Sequence, residues 1–191
     1  EDPNNNLSNY LNTITKQIKD IEHLVNEFSD FARMPKPIMK KIALNKVITR
    51  SLNLLKLSEK DISFNFIGNN SDISMKGDEE QINRVFINLI KNSIESINEK
   101  KRKDVVFKGK INVDIKGDSD YIYVEIKDNG IGFDKVNKAK MLTPYYTTKI
   151  KGTGLGLSIV TKIIYDHNGT ILFNSIKDGA QVEIAIPKYY D

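Results

Sequence analysis

The chain contains no cysteine and no tryptophan among its 191 residues. The first absence excludes disulfides, thiolate metal sites and cysteine nucleophiles together. Two histidines are too few for a histidine metal cluster, so any chemistry must rest on oxygen, amide and ammonium groups. No apolar run approaches the roughly 18 residues that a transmembrane helix requires. The N-terminal run Glu1-Asp2-Pro3-Asn4-Asn5-Asn6 lacks the basic start and apolar stretch of a signal peptide, so this chain is expected to be soluble and to make no membrane contact. A strong excess of one charge is missing as well: 29 basic against 25 acidic residues leave a net +4, which selects no partner class. What is present, 39% hydrophobic and 28% charged residues, is the make-up of a folded domain with one core, long enough for an appendage but not for a second catalytic domain.

The appendage comes first. Leu7, Leu11, Ile14, Ile18, Ile21, Val25, Phe28 and Ala32 alternate steps of four and three, the heptad seam of a helix that packs in a bundle, most simply one shared between chains. Folding back on the domain is the alternative. Pro35 and Pro37 end the helix, since neither donates a backbone hydrogen bond and each pushes the preceding residue out of the helical region. Beyond this junction the pattern is mixed. Residues 38–44 read as extended, 46–57 as helical, and Ile62 to Ile67 as a strand alternating Ile62, Phe64 and Phe66. Asp78 is a candidate N-cap for a helix from Glu79 to Ile97, with Ile82, Phe86, Leu89, Ile90, Ile94 and Ile97 inward. The basic run Lys100-Lys101-Arg102-Lys103 is expected to open a solvated loop, and without interleaved aromatics it indicates no nucleic-acid contact. Ile111, Val113, Ile115 and Ile122, Val124, Ile126 flank Gly117-Asp118-Ser119-Asp120 as a hairpin. Two strands, 170–176 and 181–186, close the chain around a turn at 177–179.

Three constellations carry chemistry. Asp128-Asn129-Gly130-Ile131-Gly132 follows an apolar strand, where glycines let the backbone approach a flat ligand and a carboxylate can accept from an exocyclic amino group. An ordinary loop is the alternative for that run taken alone. Gly152-Thr153-Gly154-Leu155-Gly156-Leu157-Ser158 opens a helix carrying Ile159, Val160, Ile163 and Ile164, and presents N–H groups and a helix dipole to phosphate oxygens. It follows a polar stretch instead of a strand and has no Gly-Lys-Ser/Thr, so it is neither the dinucleotide fingerprint nor a Walker loop. Gln81, Asn88, Asn92 and Glu95 share one helix face. Amide oxygens one turn apart can ligate Mg²⁺ when phosphates supply the other ligands, and a plain polar outer face is the alternative.

In this order and spacing, the three runs resemble the N, G1 and G2 boxes of the ATPase fold shared by sensor histidine kinases, gyrase, Hsp90 and mismatch-repair ATPases. Pro144-Tyr145-Tyr146-Thr147-Thr148-Lys149 resembles the F box of histidine kinases, with tyrosine where phenylalanine is usual. The resemblance implies an α+β fold, a two-layer sandwich of a mixed sheet with helices on one face, preceded by one long helix of a dimerisation bundle. Residues 1–34 would be the second bundle helix, 35–38 a linker and 39–191 the catalytic domain, bound to ATP and Mg²⁺. Carried over, Asn92 ligates Mg²⁺ with Asn88 beside it, Asp128 binds the adenine amino group, and Gly130 and Gly132 shape the pocket. Gly152, Thr153, Gly154, Leu155 and Gly156 surround the phosphates. Tyr146, Thr147, Thr148 and Lys149 lie in a lid over about 133–153, and Lys149 reaches the terminal phosphate.

Hydrolytic branches of this superfamily place a glutamate general base where Asn88 stands, and an amide cannot take a proton at neutral pH. That favours a kinase, which the junction Phe28-Ser-Asp-Phe-Ala-Arg-Met-Pro-Lys-Pro37 supports through its resemblance to nitrogen-regulation kinases of the NtrY kind. No histidine here is followed by an acidic residue and a proline, the pattern of the family's phosphoacceptor. His23 lacks both neighbours, and His167 suits a structural cap. The chain is therefore expected to begin inside the bundle, to dimerise through its first helix, and to hand phosphate through a histidine on another helix to a response regulator. A cytoplasmic location is implied, with the full-length protein open to anchoring in the inner membrane. The rivals are a serine kinase or ATPase of the same superfamily and a non-catalytic dimerisation module.

Overall fold

Strict alternation builds the centre of the molecule. In the computed structural model, which describes residues 3–68, 73–133, 143 and 154–189, β4 (Gly109–Gly117) and β5 (Tyr121–Asp128) bury Ile111, Val113, Ile115, Ile122, Val124 and Ile126 on one face. They form the expected hairpin, paired from Ile111↔Asp128 to Gly117↔Ile122. Its turn is held by Asp118 Oδ1, which accepts from the N–H groups of Asp120 and Tyr121 at 2.9 and 2.8 Å. β7 (Gly179–Pro187) runs antiparallel to β5, and β6 (Thr170–Ile176) antiparallel to β7. β2 (Ile62–Ile67) joins the other edge parallel to β4, giving the five-stranded order β2-β4-β5-β7-β6. The parallel pair needs a crossover. It is made by β3 (Ser74–Gly77) and α3 (Glu79–Lys103), and β3 pairs antiparallel with β1 (Lys40–Ala43) in a separate two-stranded sheet.

α3 lies between α2 (Leu44–Lys56) and α4 (Gly156–Asp166) and packs on β4 and β5. Phe86, Ile90, Ile97, Ile48, Ile159 and Ile163 fill the space between helices and sheet, while the opposite sheet face carries Asn112, Glu125, Lys127 and Gln181. This is the expected mixed sheet with helices on one face.

α1 (Pro3–Ala32) precedes it. Its seam residues Leu7, Leu11, Ile14, Ile18, Ile21, Val25 and Phe28 are each at least 45% exposed, so the domain does not cover them and the folded-back alternative is not what this chain does. The helix stops at Ala32, ahead of Pro35, as the prolines require.

Several local readings need correction. The basic run 100–103 does not open a loop; it is the last turn of α3, where cations complement the carbonyl end of the helix dipole. α2 begins at Leu44 and not Lys46, because Leu44 donates its N–H to Ile73 O at 2.9 Å and is fully buried. β3 was not anticipated, although Ile73 and Met75 alternate inward. At the end of α4 the left-handed residue is Asn168 (φ 56°). Gly169 sits where a Cβ would lie 2.8 Å from Ala185 O.

Candidate functional site

α3 is the spine of the site. It starts where Asp78, its N-cap, accepts from the N–H groups of Glu80 and Gln81, each at 3.1 Å, through Oδ1. Asp78 Oδ2 accepts from Ile38 N–H at 2.9 Å, and Gln81 Nε2 donates to Pro35 O at 3.0 Å. Gln81 shares the helix face of Asn88, Asn92 and Glu95, but the junction buries it there, so at that end the face is not an outer one. His167, the C-cap of α4, accepts from Asp78 N–H through Nε2 at 2.9 Å and donates from Nδ1 to Ile163 O at 2.7 Å. With both ring nitrogens engaged and the ring buried, its role is the structural one anticipated.

Three turns further along, Asn88 and Asn92 are half-buried and Glu95 is exposed. Asn88 Nδ2 donates to Arg84 O at 3.0 Å. This turns Oδ1 toward the start of α4, where it lies 3.5 Å from the point a Cβ on Gly156 would occupy. The amide oxygen of one constellation therefore meets the glycine loop of another. At that loop Gly154 has φ 73°, a left-handed conformation that favours glycine. Leu155 is buried at the N-cap of α4 and has no side-chain oxygen to accept from the first-turn N–H groups, which suits an anionic ligand there.

The Asp128–Gly132 run ends β5. Asp128 is 7% exposed, and its Oδ1 accepts from Gly130 N–H at 2.9 Å while Oδ2 accepts from Ser93 Oγ at 3.0 Å. Burial pushes its carboxyl above the ordinary aspartate range, and donors at Gly130, Ser93 and Ala180, with the Lys100 charge, offset only part of that rise. An ionised carboxylate has about four lone-pair directions, so further donors can be accommodated. Gly132 (φ 76°) faces the β6–β7 turn, where a Cβ would lie 2.8 Å from Gly179 O. Since Ser93 is five residues beyond Asn88, the carboxylate and the Asn88–Gly156 junction are offset by about 7.5 Å along α3.

Ser93 was missed in the sequence. A serine beside Asn92 carries no signal of its own in the sequence, because its partner Asp128 is met only in the fold. Tyr146, Thr147, Thr148, Lys149, Gly152 and Thr153 lie outside the described residues, as do Pro144, Tyr145 and nearly all of the anticipated lid. For a divalent cation the donor set fits: neutral amide oxygens, one of them oriented toward a phosphate-type loop, suit a hard ion that keeps water and phosphate ligands. Among the described residues no cluster of three or more His, Cys, Asp or Glu could hold a metal alone, and no helix is long and apolar enough to cross a membrane.

A buried carboxylate, a half-buried amide pair and the glycines that open α4 are thus gathered around α3. Residues 77–190 match the family described as histidine kinase-, DNA gyrase B- and HSP90-like ATPase, and the chain belongs to that family. Within it, the similarity runs to sensor histidine kinases. The chain is 34% identical over 171 residues to nitrogen regulation protein NtrY of Azorhizobium caulinodans, covering 87% of this chain and 21% of that one. It is 37% identical over 177 residues to a putative NtrY-like sensor histidine kinase of Rickettsia conorii, covering 92% and 28%. It thus spans about a quarter of the length of these relatives. Among solved structures, the catalytic domain of histidine kinase ThkA superposes with a TM-score of 0.68 at 31% identity, covering 78% of this chain and 95% of that one. ThkA in complex with the response regulator TrrA gives 0.77 at 28% identity, covering 99% and 53%.

Proposed function

We propose that this chain is the ATP-binding part of a two-component sensor histidine kinase, holding Mg²⁺-ATP and presenting its γ-phosphate to a histidine on a bundle helix outside residues 1–191. The observation that carries the reading is α3 itself. One helix supplies Asn88 against Gly156 and, five residues on, Ser93 against Asp128, so base and phosphate ends are set by a single rigid element. Asp128 accepts from the adenine amino group. The α4 N-terminus with Gly154, Leu155 and Gly156 receives the phosphates, and Gly130 and Gly132 shape the pocket wall. Asn92 and Asn88 hold Mg²⁺, which supplies charge neutralisation on the phosphate oxygens. Tyr146, Thr147, Thr148, Lys149, Gly152 and Thr153 are assigned to the lid, with Lys149 at the terminal phosphate. An amide at Asn88 cannot activate water as a base, which supports transfer over hydrolysis. In the transfer, the γ-phosphorus bonds to an imidazole nitrogen as its bond to the bridging oxygen of ADP breaks.

The same reading assigns residues 1–34 to the bundle, 35–38 to the linker and 39–191 to the catalytic domain. It makes the chain a homodimer through α1, since an apolar seam left in water is unfavourable, with a response regulator as the next acceptor and a cytoplasmic setting. Neither His23 nor His167 is the phosphoacceptor.

Calorimetry with ATP, with and without Mg²⁺, followed by incubation with γ-labelled ATP tests it. Binding that Mg²⁺ tightens, no label on this chain, and label on an added helix carrying an acceptor histidine are the expected results. No ATP binding would favour the dimerisation module, and rapid release of free phosphate would favour an ATPase. Sedimentation should show self-association that disappears when residues 7–33 are deleted.

A further inference from the structure

Three side chains on the second half of α3 converge on one short turn. Ser93, Ser96 and Lys100 are spaced three and four apart, so they form one stripe along the helix. Ser93 Oγ donates to Asp128 Oδ2 at 3.0 Å, Ser96 Oγ accepts from Ile131 N–H at 3.0 Å, and Lys100 Nζ donates to Asn129 O at 2.8 Å. The turn lies directly on the helix: a Cβ on Gly130 would sit 2.6 Å from the Ser96 carbonyl carbon and 2.8 Å from Ile97 N. From its other side the turn is held by β4, where Asn129 Nδ2 donates to Lys108 O at 2.9 Å and Asn129 Oδ1 accepts from Lys110 N–H at 2.7 Å. Lys100 is itself aimed by Phe107, whose ring centroid is 4.6 Å from its ammonium.

We propose that Ser93, Ser96 and Lys100 are positioning residues that fix the angle of the Asp128 carboxylate, so that base selectivity depends on this stripe as well as on the carboxylate. The inference rests on the ATP reading above and deepens it. A carboxylate can rotate about its Cβ–Cγ bond. Bonded at Oδ1 by its own turn and at Oδ2 by the helix, this one cannot do so without losing a buried hydrogen bond. Preset in this way, it meets an amino group with its remaining lone pairs and meets a carbonyl oxygen at the same place as repulsion. The charged group facing it from α3 is Lys100, and the β4–β5 and β6–β7 turns contribute the N–H donors of Gly130 and Ala180.

The test uses the full chain, with circular dichroism to show that each variant is folded. ATP and GTP affinities are measured by calorimetry from pH 5 to 8 for wild type, Ser93→Ala, Ser93→Thr and Lys100→Met. For Ser93→Ala, ATP affinity should fall about tenfold, the ATP-over-GTP ratio should narrow, and the acid limb of ATP binding should move to higher pH. Lys100→Met should do the same in smaller measure, because it removes both the turn's anchor and a cation that favours the ionised carboxyl. Ser93→Thr, which keeps the hydroxyl, should recover most of the loss. Unchanged affinity and acid limb in Ser93→Ala and Lys100→Met would overturn the proposal, as would an equal loss for ATP and GTP without a pH shift. Absence of ATP binding by the wild-type chain would overturn the ATP reading with it.

Discussion

Asp78 and Asp128 both sit where a strand or turn meets α3, the first half-buried and the second buried, and their surroundings push them in opposite directions. Burial raises both carboxyls. At Asp78 three backbone N–H donors, from Ile38, Gln81 and Glu80, more than offset it, and the group lies below the ordinary aspartate range. At Asp128 burial wins over the donors of Gly130, Ser93 and Ala180, and the group lies above that range. The first carboxylate is satisfied by its own chain and ties the junction, α3 and, through His167 at Asp78 N–H, the end of α4 together. At the second, the donors offset only part of the cost of burying its ionised form, and a further donor from a ligand would offset more. In the proposed reading one helix begins at a carboxylate that serves the fold and passes one that recognises the base, and substitution should separate these roles.

Asp128→Asn should have the largest effect. The amide is an ambiguous donor in a place that needs an acceptor, so ATP affinity should fall by about 1–3 kcal/mol, and preference for adenine should go with it. Thermal stability should change little, since the buried charge goes as well. Calorimetry beside a thermal melt reads both. Unchanged ATP affinity with an intact fold would remove Asp128 from the pocket and erase the contrast with Asp78.

Asp78→Ala should give the reverse pattern. Losing the N-cap costs about 1–2 kcal/mol of stability, visible as a lower urea midpoint, while ATP affinity should stay within about threefold, because Asn88 and Ser93 are set by packing well beyond the first turn. If ATP affinity fell as far as in Asp128→Asn, the junction and the nucleotide site would be one cooperative unit, and the division between the two carboxylates would be wrong.

Within the recognition end, the amide pair allows a finer test. Asn92→Ala should abolish the Mg²⁺-dependent part of ATP binding and Asn88→Ala should only reduce it, a difference of about 1 kcal/mol or less that titrations with and without Mg²⁺ resolve. Equal effects, or a larger one at Asn88, would shift the metal assignment toward the residue that faces Gly156.

The legible parts of the molecule were those in which periodicity and burial coincide. The β4–β5 hairpin, β2 and β7 follow from alternating apolar residues, and Asp78 at the head of α3 from a capping residue before a helical pattern. β3 escaped because it is four residues long and has one inward side chain, Met75, with Ile73 just ahead of it. Residues 100–103 were misread because a basic run suits a solvated loop and the last turn of a helix equally well. In the site, residue types fixed the candidates, but pairing needed coordinates. Ser93 carries no helical signal and gains meaning only from Asp128, which is 35 residues away in sequence. Asn88 and Gly156 are brought together by the packing of α3 against α4.

The smallest expected effect is also the sharpest in sign. A carboxyl whose folded value lies below its unfolded one adds stability that is present above the ordinary range, near pH 4, and is lost as pH falls through the folded value. Asp78 belongs to this class, so the stability difference between wild type and Asp78→Asn should shrink as pH falls below about 4. Asp128 belongs to the opposite class. Its ionised form costs stability above its raised folded value, and the cost is relieved as pH falls from there toward the unfolded one. Wild type should therefore gain on Asp128→Asn over that interval, while its ATP affinity falls over the same interval because the acceptor is being protonated. Urea denaturation of the three proteins at closely spaced pH values, with ATP titrations at the same points, measures both trends. Parallel slopes for the two aspartates would mean that their surroundings do not differ in kind, and that a buried carboxylate at this turn is ordinary structure.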